Sequence, residues 1–217
     1  MEPIENPGRE RILSRIRSAL TQAAPKHAAT RSGTIFAPVS DPLARFQKEC
    51  RENATECVLV SDRSAVVENL SDLLQEIPPG EVYIQDAPVL RRIAEKAIGG
   101  HPVRWSSEGP PQESSQATIT LAESLVASTG SVLVASSDGG RGASVIAPVH
   151  LVIASQSQLE SDLESALARA NQRGLPAKNS FLCLITGSSR TADIEKILVL
   201  GAHGPRRLIV ILAERLD

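Results

Sequence analysis

The sequence predicts an α/β protein in which a mostly parallel sheet is covered by helices on both faces. Short apolar runs of strand length alternate with longer segments whose apolar residues repeat at helical spacing. Such alternation is typical of parallel sheets, because each helix returns the chain to the edge where the next parallel strand begins. A chain of 217 residues, of which 41% are hydrophobic, is also long and apolar enough to bury a full core.

The N-terminal segment is predicted to be a helical arm outside this core. Residues 9–20 form a charged helix with one narrow apolar stripe. The stripe consists of Ile12, Ile16 and Leu20. Residues 23–40 contain prolines and small residues without periodicity, as in a linker. We therefore predict an N-terminal helix and linker over residues 1–40 and an α/β domain over residues 41–217.

The elements of the α/β domain are predicted from the spacing of apolar residues and from the prolines, glycines and capping residues that begin or end each element. Asp41 is a capping residue, and Pro42 after it suits the first position of a helix. Pro78-Pro79 ends the next predicted helix, and Gly99-Gly100 ends the one after it. The predicted helices begin at Pro42, Val66, Pro88, Leu159 and Thr191, and the last of them extends to Leu200. The predicted strands are residues 57–60, 82–84, 101–105, 118–120, 131–135, 150–154, 181–185 and 208–212.

Composition excludes several classes of function. The chain has 23 basic and 25 acidic residues and only 2% aromatic residues, so it has neither the positive field nor the stacking platforms of a nucleic-acid-binding protein. Its apolar runs are too short for membrane insertion, and the N-terminus lacks the regions of a signal peptide, which predicts a cytoplasmic protein. Three cysteines without C-x-x-C spacing predict no disulfide framework, no metal site and no cofactor held by this chain alone.

The strongest candidate site is Thr186-Gly-Ser-Ser-Arg-Thr-Ala-Asp193, where a predicted strand opens into a predicted helix. A helix start carries unpaired N–H groups, glycine allows close approach of a ligand, and arginine suits a carboxylate or phosphate. The same residues also fit an ordinary helix cap, and residue types alone favour neither interpretation. The candidate ligand-binding residues in this segment are Gly187, Ser188, Ser189, Arg190, Thr191 and Asp193.

Further candidates lie elsewhere in the second half of the chain. Thr129 and Gly130 precede a predicted strand, and Arg141 lies in a glycine-rich connection from which an arginine could close over an anion. Neither segment has the pattern of a Walker A loop or of a dinucleotide-binding loop. His150 and His203 could transfer a proton, although a lone histidine is more often structural or solvated.

Several of these segments together resemble the lactate-utilization protein C family. They are Ala127-Ser-Thr-Gly-Ser131, Arg141, Pro148-Val-His150, Ser188-Ser-Arg-Thr-Ala-Asp-Ile-Glu195 and Gly201-Ala-His-Gly-Pro205. The resemblance covers residues 118–213 in order and spacing. It implies a fold similar to the sugar-phosphate isomerases, CoA transferases and formyltetrahydrofolate cyclo-ligase. It also implies participation in oxidising L-lactate to pyruvate beside separate iron–sulfur subunits.

Ser128 departs from the resemblance, because family members commonly have glutamate at this position. A mechanism with a glutamate nucleophile, as in CoA transferases, therefore has no support here. Three hypotheses remain: a lactate-oxidation subunit that binds a small carboxylate or phosphate-bearing ligand, a non-catalytic assembly module for the iron–sulfur subunits, and a stand-alone cyclo-ligase-like enzyme. The last is the weakest, because no ATP-binding loop is present. A homo-oligomer is compatible with each.

Overall fold

The computed structural model of the chain divides into two units, residues 1–35 and 36–217. The structure describes residues 7–21, 36–136, 141–192, 198–200 and 204–216. In the first unit, Pro7–Leu20 forms helix α1, which confirms the predicted N-terminal helix. None of its residues is buried, and the apolar stripe is 50 to 79% exposed. Among the described residues, no helix has the length and hydropathy needed to span a membrane.

The second unit contains the α/β elements. Its helices are α2 (Pro42–Glu52), α3 (Arg63–Gln75), α4 (Pro88–Ala97), α5 (Leu163–Gln172) and α6 (Leu175–Lys178). Its first six strands are β1 (Thr55–Val60), β2 (Val82–Ile84), β3 (Val103–Trp105), β4 (Ala117–Leu121), β5 (Ser124–Val126) and β6 (Ser131–Ala135). The remaining strands are β7 (Val149–Ser155), β8 (Leu159–Glu160), β9 (Leu182–Ile185), β10 (Arg190–Ala192), β11 (Leu198–Leu200) and β12 (Arg207–Ala213).

Six strands form an all-parallel sheet in the order β1-β12-β7-β4-β2-β3, which confirms the predicted fold class. A second sheet has the order β8-β5-β6-β9. In it, β6 pairs antiparallel with both β5 and β9. The segments 131–135 and 181–185 were therefore correctly predicted as strands but do not belong to the parallel sheet. Pairing is a long-range property that the local apolar pattern does not determine.

The two faces of the parallel sheet are covered by different elements. Apolar residues of α3 and α4 pack on one face, against side chains such as Ile119 and Leu151. On the other face, Phe46 and Cys50 of α2 and apolar residues of β5 and β6 pack against side chains such as Val152 and Val210. Helices thus lie on both faces, and the small second sheet also covers the face on which α2 packs.

Two predicted helices need correction. The helix predicted from Leu159 begins only at Leu163. Asp162 is its N-cap, and the Asp162 side chain accepts a hydrogen bond from the backbone N–H of Ser165. Leu159–Glu160 is strand β8. The helix predicted over residues 191–200 is wrong, because β10 and β11 pair antiparallel there. The run Leu198-Val-Leu200 lacks the polar positions of an amphipathic helix and suits a strand.

Candidate functional site

A cleft of ≈ 530 Å³ opens beside the loop that connects β9 to β10. It is large enough for a small organic ligand. Its described lining residues are Asn53, Ser144, Cys183, Leu184, Ile185, Thr186, Gly187, Ser188, Ser189, Arg190, Gly204 and Pro205. Most are polar or small, and Arg190 is the one charged side chain among them. The predicted segment from Gly187 to Arg190 therefore lines a real concavity.

Asn53, which sequence reasoning missed, joins the parts of this site. It is the C-cap of α2, and its side-chain amide donates to the carbonyl oxygens of Glu49 at 3.0 Å and Thr129 at 3.1 Å. Its own carbonyl oxygen accepts a hydrogen bond from the Arg190 guanidinium. The end of α2 thus fixes both loops that the sequence singled out. A polar residue at the end of an apolar-faced helix was the available signal.

Two glycines allow these loops to approach α2 closely. Gly187 has φ +77°, and a Cβ there would collide with the carbonyl oxygen of Asn53. Gly130 has φ +63°, and a Cβ there would lie 2.8 Å from the backbone nitrogen of Cys50. Both positions need glycine for its positive φ and for its missing side chain. The close approach predicted at Gly187 is thus toward the protein's own backbone, and Gly130 approaches the backbone of α2 in the same way.

A chain of hydroxyl groups connects the two loops. The Oγ1 of Thr129 lies 2.7 Å from the Oγ of Ser131, which lies 2.6 Å from the Oγ1 of Thr186. Ser131 is fully buried, and Thr186 lines the cleft. Thr129 is half-buried and is not among the cleft-lining residues, so Thr186 is the member of this chain of hydroxyls that a ligand in the cleft would meet.

One part of the electrostatic basis predicted for this loop, the helix N-terminus, is wrong. Arg190 begins strand β10, so in the described part of this loop no helix N-terminus presents unpaired N–H groups to a ligand. The cleft instead adjoins the C-terminal end of α2, where the carbonyl groups carry partial negative charge. The Arg190 guanidinium compensates that charge through its bond to Asn53. Any attraction for an anion must come from the remaining N–H groups of Arg190 and from neighbouring hydroxyls.

The position of the loop in the fold also differs from the prediction. The sequence placed it beyond the carboxyl end of a strand of the parallel sheet, but β9 belongs to the second sheet. The backbone N–H of Ser189 donates to the carbonyl of Pro205 at 2.8 Å, and the N–H of Arg206 donates to the carbonyl of Pro148 at 2.8 Å. Pro148 directly precedes β7, and Pro205 lies two residues before β12. The cleft therefore lies at the amino ends of the parallel strands.

The other predicted site residues have different outcomes. Arg141 begins the short turn Arg141–Ser144, whose last residue lines the cleft, but the Arg141 side chain is outside the described part of the structure. Thr191 lies in β10, and its side chain is likewise not described. Asp193 and His203 lie outside the described residues. Their roles stay predictions.

His150 is fully buried on β7 and not in the wall of the cleft. Its Nε2 lies 2.8 Å from the Oγ1 of Thr120. Burial lowers the pKa of His150 to about 4, so the imidazole is neutral near pH 7. A neutral imidazole can donate or accept a hydrogen bond at the nitrogen that Thr120 leaves free.

The cysteines and acidic residues form no metal site in the described part of the chain. No group of three or more histidine, cysteine, aspartate or glutamate side chains is placed to hold a metal ion there. Cys183 lines the cleft, and burial raises the pKa of its thiol. Cys50 and Cys57 are neighbours, and their mutual hydrogen bond, with burial, raises the pKa of Cys50. All three cysteines are free.

Comparisons with known proteins agree with the motifs of this site. Residues 110–213 match the family model of the LUD domain. A protein of Bacillus subtilis (strain 168) named "Lactate utilization protein C" is 27% identical over 190 residues, which cover 79% of this chain and 78% of that protein. Proteins of the same name from Deinococcus radiodurans and Macrococcus caseolyticus are each 26% identical, and the match covers 69% and 94% of this chain and 80% and 94% of theirs.

A solved structure shares the fold. The crystal structure of a DUF162 family protein from Deinococcus radiodurans superposes with a TM-score of 0.60 at 19% sequence identity. The superposition covers 81% of this chain and 99% of that one. The fold of this chain is therefore similar to one already seen in a crystal.

Proposed function

This chain belongs to the LUD-domain family of lactate utilization protein C, and from that premise we propose that it takes part in lactate utilization. In the proposal it is a cytoplasmic subunit that works with separate iron–sulfur subunits in oxidising L-lactate to pyruvate. Support comes from relatives that bear this name and align with most of the chain. The proposed contribution of this chain is to bind the small carboxylate in the cleft beside Arg190.

The observation that carries the binding proposal is the polar lining of the cleft around one guanidinium. The Arg190 guanidinium donates one N–H to the carbonyl oxygen of Asn53, and its other N–H groups could bind a carboxylate or phosphate. Ser188 and Ser189 lie on the same loop and also line the cleft. A guanidinium with adjacent hydroxyl donors suits a small anion such as lactate or pyruvate.

Calorimetric titration of the purified chain with L-lactate, pyruvate and inorganic phosphate tests this proposal. We expect Arg190→Ala to weaken binding of the preferred anion at least about tenfold, the effect of one charge-assisted hydrogen bond. Arg190 is exposed, so its removal should leave the fold intact by circular dichroism. Arg206→Ala is the matched control, since Arg206 is exposed and outside the cleft lining. Equal affinities of Arg190→Ala and the wild type, or no binding of any of the three anions, would contradict the proposal.

A second function is favoured by helix α1. Its apolar residues are Ile12, Ile16 and Leu20, which are 60%, 50% and 79% exposed. An amphipathic helix with an uncovered stripe is a typical docking element, so the alternative is a non-catalytic module that assembles the iron–sulfur subunits. Deletion of residues 1–40 should then abolish co-purification with those subunits. Co-purification at wild-type yield would exclude this role.

A further inference from the structure

Two cysteines meet where the chain passes from α2 into β1. Cys50 lies in the last turn of α2, and Cys57 is the third residue of β1. The chain reverses between them at Asn53 and Ala54, and Ala54 has φ +54°. This reversal returns β1 beneath α2, so both cysteine side chains pack in the apolar cluster on that face of the sheet. Their thiols form a hydrogen bond with each other.

The two thiols have different surroundings. Cys50 is 0% exposed, and its Sγ lies 3.9 Å from the carbonyl oxygen of Gly130, whose loop covers it. Its hydrogen bond to Cys57 and its burial raise the pKa of Cys50. Cys57 is only half-buried, so a small reagent can reach it. The hydrogen bond from Cys50 lowers the pKa of Cys57 despite burial, and the charge of Arg51 lowers it further. Cys57 is therefore the member of the pair that ionises first.

Cys183 differs from this pair although it also lies at the surface of the cleft. It is on β9, and its thiol is hydrogen-bonded to Ser144 rather than to another cysteine. Burial raises the pKa of Cys183, which disfavours the thiolate. Oxidation favours an accessible thiolate that has a second thiol beside it. Among the three cysteines, Cys57 and Cys50 meet that description and Cys183 does not.

We propose that Cys57 and Cys50 form a redox-active pair that a small hydroperoxide oxidises to a disulfide. The Cys57 thiolate attacks one oxygen of the O–O bond, which breaks, leaving a sulfenic acid on Cys57 and releasing hydroxide or alkoxide. The Cys50 sulfur then attacks the Cys57 sulfur, so that an S–S bond forms and the S–O bond breaks. The thiol proton of Cys50 leaves with the displaced hydroxide as water. The two sulfurs together lose two electrons to the peroxide, and an external thiol reverses the oxidation.

The pair is connected to the cleft through the residue that lies between its members. Asn53 donates to the carbonyl of Thr129 and accepts a hydrogen bond from Arg190. An S–S bond of about 2.05 Å is much shorter than the contact between two hydrogen-bonded thiols. Because β1 is held in register by β12, the end of α2 has to move when this bond forms. Disulfide formation does not depend on the proposed function, whereas its expected effect on ligand binding does.

Mass spectrometry of the full chain tests the proposed disulfide. The reduced chain is treated with hydrogen peroxide, denatured and alkylated at its remaining thiols. We expect the wild-type chain to lose two hydrogen atoms, with peptide mapping to a Cys50–Cys57 disulfide and an alkylated Cys183. Three alkylated cysteines, a sulfinic acid on Cys57 without a disulfide, or oxidation of Cys183 at the same rate as Cys57 would each overturn the inference.

Single substitutions separate the two roles in the pair. Cys50→Ser removes the thiol that closes the disulfide, so Cys57 should accumulate added oxygen atoms under the same treatment. Cys57→Ser removes the nucleophile, and Cys50 should then stay reduced. Cys183→Ser is the matched control, since it makes the same substitution at the thiol outside the pair, and it should give the wild-type yield of disulfide. A lost disulfide in Cys183→Ser, or an oxidised Cys50 in Cys57→Ser, would contradict the assigned roles.

Calorimetric titration tests the connection to the cleft. With whichever of L-lactate, pyruvate and inorganic phosphate the reduced chain prefers, we expect the oxidised wild-type chain to bind at least about threefold more weakly, because Arg190 loses part of its anchor. Dithiothreitol should restore the affinity, and peroxide should have no such effect on Cys57→Ser. An unchanged affinity in the fully oxidised chain would show that the disulfide does not act on the cleft. If the reduced chain binds none of the three anions, the proposed binding function fails, and the mass-spectrometric result still decides the disulfide.

Discussion

The two faces of the parallel sheet differ in what they bury at the amino ends of their strands. On the face under α3 and α4, the central strands present apolar side chains throughout, among them Ile119, Leu151 and Ile209. On the opposite face, Val152 and Val210 are equally apolar, but Thr118 and His150 precede them nearer the amino ends. The face under α3 and α4 is therefore wholly apolar in its central strands, and we call it the dry face. The opposite face is polar near the amino ends of its strands, and we call it the polar face.

This difference shows where buried polar atoms are left unpaired in the core. An unpaired buried hydroxyl or imidazole nitrogen costs free energy of folding, and an apolar residue of similar size would avoid that cost. The polar groups also lie at the end of the sheet where the cleft opens. A stable core alone would not need them there. The contrast between the two faces can be tested by substitutions on each.

The largest effect on stability is expected on the dry face. Leu70 of α3 is 1% exposed, and Leu70→Ala should lower the free energy of unfolding by about 3–4 kcal/mol, because it removes apolar contacts and leaves a cavity. Urea denaturation measures this value. The affinity for L-lactate should not change, since Leu70 lies under the face away from the cleft.

Leu167→Ala is the control for this substitution. Leu167 is 49% exposed on α5, so the same truncation should cost well under about 1 kcal/mol there. A change in L-lactate affinity caused by Leu70→Ala would break the proposed separation between a packing face and a ligand face.

The sequence predicts the packing face better than the ligand face, for a physical reason. The helices α3 and α4 were predicted because their apolar residues recur at helical spacing, which is a local property. The contacts of Asn53 with Thr129 and Arg190 join residues 76 and 137 positions apart. No local pattern reports such contacts, so Asn53 was missed.

The wrong helix over residues 191–200 has a related cause. Asp193 and Glu195 after Arg190 are residue types typical of the first turn of a helix, and Gly201 after Leu200 is typical of a helix end. The apolar run at β11 and its pairing with β10 prevailed instead. Helix starts and hairpins share polar residue types, and the partner strand decides between them.

The second effect is a loss of folding stability at low pH caused by His150 on the polar face. The pKa of His150 is lowered by burial from 6.5 to about 4 in the folded chain. Between these values the unfolded chain binds more protons than the folded chain, so stability falls as the pH falls through this window. The loss attributable to His150 should reach about 3 kcal/mol at pH 4.

His150→Gln separates this effect from all other titrating groups. The difference in the free energy of unfolding between wild type and variant, measured by urea denaturation from pH 7.5 to pH 4, should change by that amount in the stated direction. A difference that is independent of pH would mean that His150 is protonated without cost, and the polar part of the face would then be open to water rather than buried.

The smallest effect is a difference between two glycines, and it tests how the cleft is anchored. Gly99 and Gly187 have φ +61° and +77°, so alanine is strained by about 1 kcal/mol at both. At Gly99 nothing lies within 4 Å of the added Cβ, whereas at Gly187 it meets the carbonyl of Asn53, the same oxygen that Arg190 binds. We expect Gly187→Ala to cost about 2 kcal/mol more than Gly99→Ala, and to weaken L-lactate binding because Arg190 loses its anchor. Equal costs at the two positions, with unchanged binding, would show that the β9–β10 loop does not depend on α2.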